Sequence, residues 1–143
     1  MYKHILYAAD LSGDHDKIAD KAAELATLFG AKLSLVHAVE YVPVVANAYI
    51  PDMEIVEELK KSAEQQLLQL AKHLEVPEQD QAVVLGKARA AVLEQADNIH
   101  ADLIVVGKRS HHGLEKLLGS TANGVLHGAH CDVLTLMVDE KTK

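Results

Sequence analysis

The sequence of 143 residues lacks three features that would place it outside the cytoplasm. It has one cysteine, Cys131, and therefore no internal disulfide, which agrees with a reducing compartment. No apolar run approaches the roughly 18 residues that a membrane-spanning helix needs. The first residues lack the long apolar region and small-residue cleavage site of a secretion signal. These absences predict a cytoplasmic protein with no membrane partner.

Positive charge is also scarce in this chain. It carries 14 Lys and Arg residues against 21 Asp and Glu residues, a formal net charge of −7. Such a balance argues against general attraction to nucleic acid or to an anionic membrane surface. We therefore expect no nucleic-acid partner, and any site for an anion has to be local.

Predicted strands and helices alternate along the chain, and its length is that of one domain, residues 1–143. Apolar runs predict strands, and apolar residues at helical spacing predict helices. The strands are expected at residues 2–9, 32–39, 81–86, 101–106 and 131–138, and the helices at residues 16–29, 52–74, 88–100 and 120–130. This order predicts an α/β fold, a five-stranded parallel sheet flanked by four helices.

In such a sheet a ligand binds at the carboxyl ends of the strands, where the strand order reverses. Strands one and four are expected to meet there, with Asp10 and Gly107 at their ends. From Gly107 to Ser120 a glycine-containing loop leads into a helix, whose first N–H groups have no partner inside the helix and attract anions. Alternatively, the glycines serve turns only and Ser120 only caps the helix.

Several stretches of the chain together resemble the universal stress protein family, over nearly its whole length. They are YKHILYAADLS at residues 2–12, LVHAV at 35–39, ADLIVVG at 101–107, GLEKLLGSTA at 113–122 and VLHGAHCDVL at 125–134. The resemblance implies a Rossmann-like domain of the adenine nucleotide alpha hydrolase-like type and usually a homodimer. One branch of the family binds ATP or a related adenine nucleotide, and another does not.

The nucleotide-binding branch carries Gly, two residues, Gly, nine residues, then Gly followed by Ser or Thr. Gly107 and the pair Gly119-Ser120 match this pattern, and Gly113 keeps the family's usual distance from Gly107. Ser110 stands in place of the middle glycine, and only eight residues separate it from Gly119. Two interpretations stay open: a stress-response sensor or adaptor that binds ATP, ADP or AMP, with or without magnesium, and a nucleotide-independent dimeric adaptor.

The resemblance also implies which residues contact a nucleotide. Small apolar side chains enclose the adenine, Asp10 lies against the base and ribose, and the start of the last helix holds phosphate. The predicted binding residues are Ala8, Ala9, Asp10, Ala38, Val39, Val106, Gly107, Lys108, Arg109, Ser110, Gly113, Gly119, Ser120 and Thr121. Core packing explains the apolar residues equally well, a turn or helix cap explains Asp10, and solvation explains Lys108 and Arg109.

The sequence offers little chemistry beyond binding. Nine histidines are present, but the adjacent His111 and His112 have no carboxylate or cysteine at a recognisable ligand spacing. No serine stands in an elbow motif with a base. We therefore expect a protein that is not an enzyme and holds no metal.

The last predicted strand is the candidate contact with a second copy of the chain. From Asp132 to Val138 it is strongly apolar, and an uncovered edge strand attracts another strand. Two copies pairing antiparallel at this edge would form a homodimer, which is the family's usual assembly. The alternative is an edge strand shielded by its own helix.

Overall fold

The computed structural model of the chain describes residues 1–11, 17–41, 53–110 and 120–139. Within them the strands are β1 (His4–Ala8), β2 (Lys32–Val39), β3 (Gln81–Leu85), β4 (Leu103–Ser110) and β5 (Asp132–Asp139). The helices are α1 (Lys17–Phe29), α2 (Met53–Leu74), α3 (Ala88–Ile99) and α4 (Ser120–Gly128), with a short 3₁₀ turn at Glu78–Asp80. None of these helices is both long and apolar enough to cross a membrane.

The five strands form one parallel sheet in the order β3-β2-β1-β4-β5. The order reverses between β1 and β4, which pair directly at Leu6 and Ile104. The paired middle parts of these strands, residues 5–7 and 103–106, are apolar and buried, as expected of strands covered on both faces of a parallel sheet. The predicted α/β fold and the predicted meeting of strands one and four are both confirmed.

Two apolar cores lie on opposite faces of the sheet, because successive side chains of a strand point to opposite faces. Tyr7 and Leu35 contribute to the core beneath α1 and α2. Leu6 and Val36, each one residue away, contribute to the core beneath α3 and α4. The sheet is thereby covered on both sides, and its carboxyl edge is left as the place where a site can form.

Helices α3 and α4 approach each other closely at Gly124. A β-carbon there would lie 2.6 Å from Cδ of Arg89 on α3, well inside van der Waals contact. The absence of a side chain therefore lets the two helices pack side by side, with both of their first turns at the carboxyl edge of the sheet.

The observed end of β4 differs from the predicted one. We expected this strand to stop at Val106 and a loop to begin at Gly107, but β4 continues through Ser110. The reason is the length of β5, which pairs with β4 from Asp132 as far as Asp139 and so extends the ladder to Ser110. Glycine followed by charged residues is typical of a loop, and this partner strand overrides that preference.

Candidate functional site

A cavity of about 420 Å³ opens at the carboxyl ends of β1, β2 and β4. The first turns of α3 and α4 close its other side. Its walls are formed by Tyr7, Ala8, Ala9, Asp10, Val36, His37, Ala38, Glu40, Ala88, Val92, Val106, Gly107, Ser120, Thr121 and Ala122. This is the topological switch point at which ligands bind in open α/β sheets, and the volume is within the range of small-molecule sites.

The inner part of the cavity is lined by apolar side chains. Val36, Val92 and Val106 are buried among its walls. Ala8 and Ala38, on neighbouring strands, also line it, and their methyl groups are small enough to leave space above the sheet. An apolar slot of this kind suits a flat ring system.

Where β1 ends, one backbone group and one side chain of β2 hold the backbone of Ala9. Val36 accepts a hydrogen bond at its carbonyl from the N–H of Ala9 (2.8 Å), and His37 donates from Nδ1 to the carbonyl of Ala9 (2.6 Å). Two residues later, Leu11 has a φ of 58°, in the left-handed region that a non-glycine residue seldom adopts. The chain therefore turns sharply after Asp10, which leaves that exposed carboxylate at the rim of the cavity.

The polar part of the cavity lies at the two helix starts. Ser120 and Thr121 belong to the first turn of α4, where backbone N–H groups have no acceptor within the helix and the helix dipole favours negative charge. The first N–H of α3, that of Ala88, already donates to Oε1 of Glu40 (2.7 Å). An anionic ligand could therefore bind at the start of α4, whereas the start of α3 is already occupied by the carboxylate of Glu40.

The structure brings eight of the predicted binding residues together at the cavity wall. These are Ala8, Ala9, Asp10, Ala38, Val106, Gly107, Ser120 and Thr121. Gly113 and Gly119 lie outside the described residues. Whether the eight contact a ligand stays a prediction, but their convergence from β1, β2, β4 and α4 is what the prediction requires.

Four other predicted residues are placed differently. Val39 is buried in the sheet opposite Leu85 of the edge strand, and it does not line the cavity. Lys108 is not part of the cavity wall either. The backbones of Arg109 and Ser110 belong to β4, so the loop predicted for these residues is replaced by strand. Their roles toward a ligand stay predictions.

Gly107 has a packing role that the sequence did not reveal. A β-carbon at this position would collide with Cδ1 of Ile18 on α1 and would lie 3.3 Å from its Cγ2. Ile18 is buried in the core beneath α1, on the sheet face opposite to α4. The absence of a side chain at Gly107 therefore leaves room for the Ile18 side chain, whatever it also does for a ligand.

Sequence reasoning missed several cavity residues on β2 and α3. His37, Glu40, Ala88 and Val92 line the cavity. His37 stands within the LVHAV stretch already associated with the adenine slot, which was the one available signal. Glu40 and Ala88 are 48 positions apart, and only the pairing of β2 with β3 brings them together.

The described residues contain no group of three or more His, Cys, Asp or Glu side chains that could hold a metal ion. His111 and His112 lie outside the described residues, so the expectation that the protein holds no metal stays a prediction.

Nearly the whole chain matches a known family in sequence. The profile of the Universal stress protein family matches residues 1–136. Universal stress protein A homolog 1 of Coxiella burnetii is 41% identical over 142 residues, which cover 97% of this chain and 99% of that protein. The chain belongs to the universal stress protein family, as the sequence motifs predicted.

Solved structures agree with this assignment. A universal stress protein in complex with cAMP is 27% identical and has a TM-score of 0.60, covering 94% of this chain and 96% of that one. A member of the family from Burkholderia pseudomallei is 25% identical with a TM-score of 0.69, covering 96% of both chains. The Rossmann-like fold expected from the resemblance is thereby confirmed.

Proposed function

We propose that this protein is a cytoplasmic stress-response sensor or adaptor that binds an adenine nucleotide, ATP, ADP or AMP, at the carboxyl edge of its sheet. The observation that carries the proposal is the cavity itself, in which an apolar slot leads to the first turn of a helix. Its 420 Å³ suit a ligand with one flat ring system and one anionic group. A solved relative in complex with cAMP supports the same class of ligand.

In this proposal each part of the nucleotide has its own contacts. The adenine lies in the slot beside Ala8 and Ala38, and the ribose hydroxyls donate to the carboxylate of Asp10. The phosphate accepts hydrogen bonds from the N–H groups of Ser120 and Thr121 and from the Ser120 hydroxyl. Hydrogen bonds to a charged group contribute about 1.5–3 kcal/mol each, and the field of the α4 terminus adds about 0.3–2 kcal/mol.

We propose binding rather than turnover as the function. The donors proposed for the phosphate are the Ser120 hydroxyl and backbone N–H groups at a helix start, an arrangement that holds an anion in place. A protein partner would then recognise the conformation of the nucleotide-bound protein.

A thermal-unfolding titration tests the nucleotide proposal. ATP, ADP and AMP are each added with and without magnesium, and a ligand present at about a hundredfold its Kd is expected to stabilise the fold by roughly 2.7 kcal/mol. Replacing Ala38 by Leu fills the adenine slot and should abolish the shift. Ala90→Leu, on the exposed side of α3, adds the same three carbons away from the cavity and should keep it. If wild type shows no shift with any nucleotide, the proposal fails.

A nucleotide-independent dimeric adaptor is the second candidate. The observation in its favour is that β4 continues through Ser110, so the segment expected to form the phosphate loop is partly strand. The titration of wild type separates the two candidates.

Both candidates include a homodimer through β5, an edge strand of the sheet. Its residues Leu134 and Leu136 pack against the core beneath α1, whereas Met137 is 51% exposed. We expect Met137→Lys to produce monomers in analytical ultracentrifugation. Met53→Lys, at an exposed position on α2, is the matched control and should leave the dimer intact. A dimer that survives Met137→Lys would contradict pairing at this edge.

A further inference from the structure

Two helices begin at the cavity, and a carboxylate from elsewhere in the chain occupies the start of one of them, α3. The N-cap residue of α3, Lys87, makes no side-chain capping bond. Instead Glu40, just after β2, reaches across and accepts from the N–H of Ala88 at 2.7 Å. A carboxylate in this place satisfies the same preference for negative charge that a phosphate would satisfy.

The two carboxylates of the described cavity wall follow neighbouring strands. Asp10 lies just past the end of β1, before the turn at Leu11, and Glu40 directly follows β2. The start of α4, with Ser120 and Thr121, follows the crossover from β4 on the other side of β1. The cavity therefore has the Glu40 carboxylate on its β2 side, Asp10 at the end of the strand between, and the hydrogen-bond donors of α4 on the far side of β1.

Given the proposed nucleotide-binding function, we propose that Glu40 is a specificity-determining residue. Its carboxylate fills the anion position at the start of α3 and repels phosphate from the β2 side of the cavity. An anionic ligand is thereby restricted to the α4 side, with the uncharged nucleoside toward β2. Glu40 also limits the number of phosphates that the cavity accepts, because each added negative charge interacts unfavourably with it.

This role differs from simple helix capping in what it requires of the side chain. A cap needs only an oxygen that accepts from Ala88, which a glutamine amide oxygen also provides. Discrimination against phosphate needs the negative charge. Glu40→Gln therefore keeps the hydrogen bond and removes the charge, while Glu40→Ala removes both.

The experiment compares the affinities of adenosine, AMP and ADP by isothermal titration calorimetry. The proteins are wild type, Glu40→Gln, Glu40→Ala and the control Glu94→Gln, which removes the same charge from an exposed position on α3. We expect Glu40→Gln to tighten AMP binding roughly threefold to tenfold relative to adenosine, with a larger gain for ADP, since removing a nearby like charge has this order of effect. Glu40→Ala should show the same gain with a lower Tm, and Glu94→Gln should match wild type.

The outcomes separate this inference from the function on which it depends. Wild type that binds neither adenosine nor AMP overturns both. Wild type that binds AMP, together with a Glu40→Gln variant whose adenosine and AMP affinities change by the same factor or not at all, overturns only the role of Glu40. A gain confined to Glu40→Ala would show that the free N–H of Ala88, and not the lost charge, controls phosphate binding, and would also overturn it.

Discussion

The two ends of the parallel sheet differ in how open they are. At the amino end, side chains close the edge by bonding to the backbone. Asp102, just before β4, accepts from the N–H of Lys3 (2.8 Å) and the N–H of His4 (3.1 Å) at the start of β1. At the carboxyl end the strands stop around a cavity of about 420 Å³. The amino end is thus tied together by side chains that bridge distant segments, and the carboxyl end leaves the cavity to which we assign the proposed binding function.

Further contacts tie the amino end together. The hydroxyl of Tyr2 donates to Asp132 at the start of β5 (2.8 Å), and its ring packs edge-on against Phe29 of α1, with centroids 5.1 Å apart. Nε2 of His4 lies 2.7 Å from the hydroxyl of the buried Ser34 on β2. Each contact joins segments that are distant in sequence, so this end fixes the strands relative to one another.

These contacts shift the pKa values of the groups involved. The hydrogen bond to Asp132 is the main cause that raises the pKa of Tyr2. Burial, the largest single effect on Asp102, acts to raise its pKa, but hydrogen bonds from the backbone N–H groups of Lys3, His4 and Asp102 itself together lower it. Burial, followed by the nearby charge of Asp132, raises the pKa of the Cys131 thiol.

The largest effect is expected from Asp102→Ala. It removes two charge-assisted hydrogen bonds at the amino end and should lower the free energy of unfolding by about 2–4 kcal/mol, measured by urea denaturation. Nucleotide affinity of the folded fraction should be unchanged if the two ends are independent. Asp97→Ala, which breaks only the exposed pair with His130 (3.2 Å), should cost no more than about 1 kcal/mol. If Asp102→Ala and Asp97→Ala lowered the free energy of unfolding equally, the special role of Asp102 at the amino end would be contradicted.

An intermediate effect is expected from Gly107→Ala at the carboxyl end. The new methyl group meets Ile18, and overpacking of this kind costs about 1–3 kcal/mol. Because Ile18→Val removes the Cδ1 atom nearest to the new methyl, the double variant should recover part of the loss, as a double-mutant cycle would show. If Gly107→Ala lowered nucleotide affinity without lowering stability, Gly107 would serve ligand binding and not the packing of α1.

The smallest effect is a pH dependence from His4. Burial, followed by the charge of Lys32, lowers the pKa of His4 below its ordinary value of 6.5. The unfolded chain therefore binds the proton more readily, and stability should fall as the pH drops below about 6.5 and stay level above it. Unfolding curves at about pH 7.5 and about pH 5.5 measure the loss. His4→Gln should reduce it, and an identical pH dependence in the variant would refute this assignment.

The sequence predicted eight of the residues that line the cavity, because these residues lie at or near the ends of recognisable strands and helices. Ala8 and Asp10 follow an apolar run, and Ser120 begins a helix, so their convergence follows from the parallel topology. Glu40 and His37 were not predicted, because each interacts with a residue that is distant in sequence, Glu40 with Ala88 and His37 with Ala9. The end of β4 was misplaced for the same reason, since only its neighbour β5 extends it.

By itself the sequence determined the order of strands and helices, the parallel sheet and the family, because periodicity and motifs are properties of neighbouring residues. The tertiary structure alone decided that Glu40 meets Ala88, that Asp102 meets His4 and that Gly107 lies against Ile18. Each of these pairs joins two elements whose separation in space is set by packing of the whole sheet, and no local pattern records it.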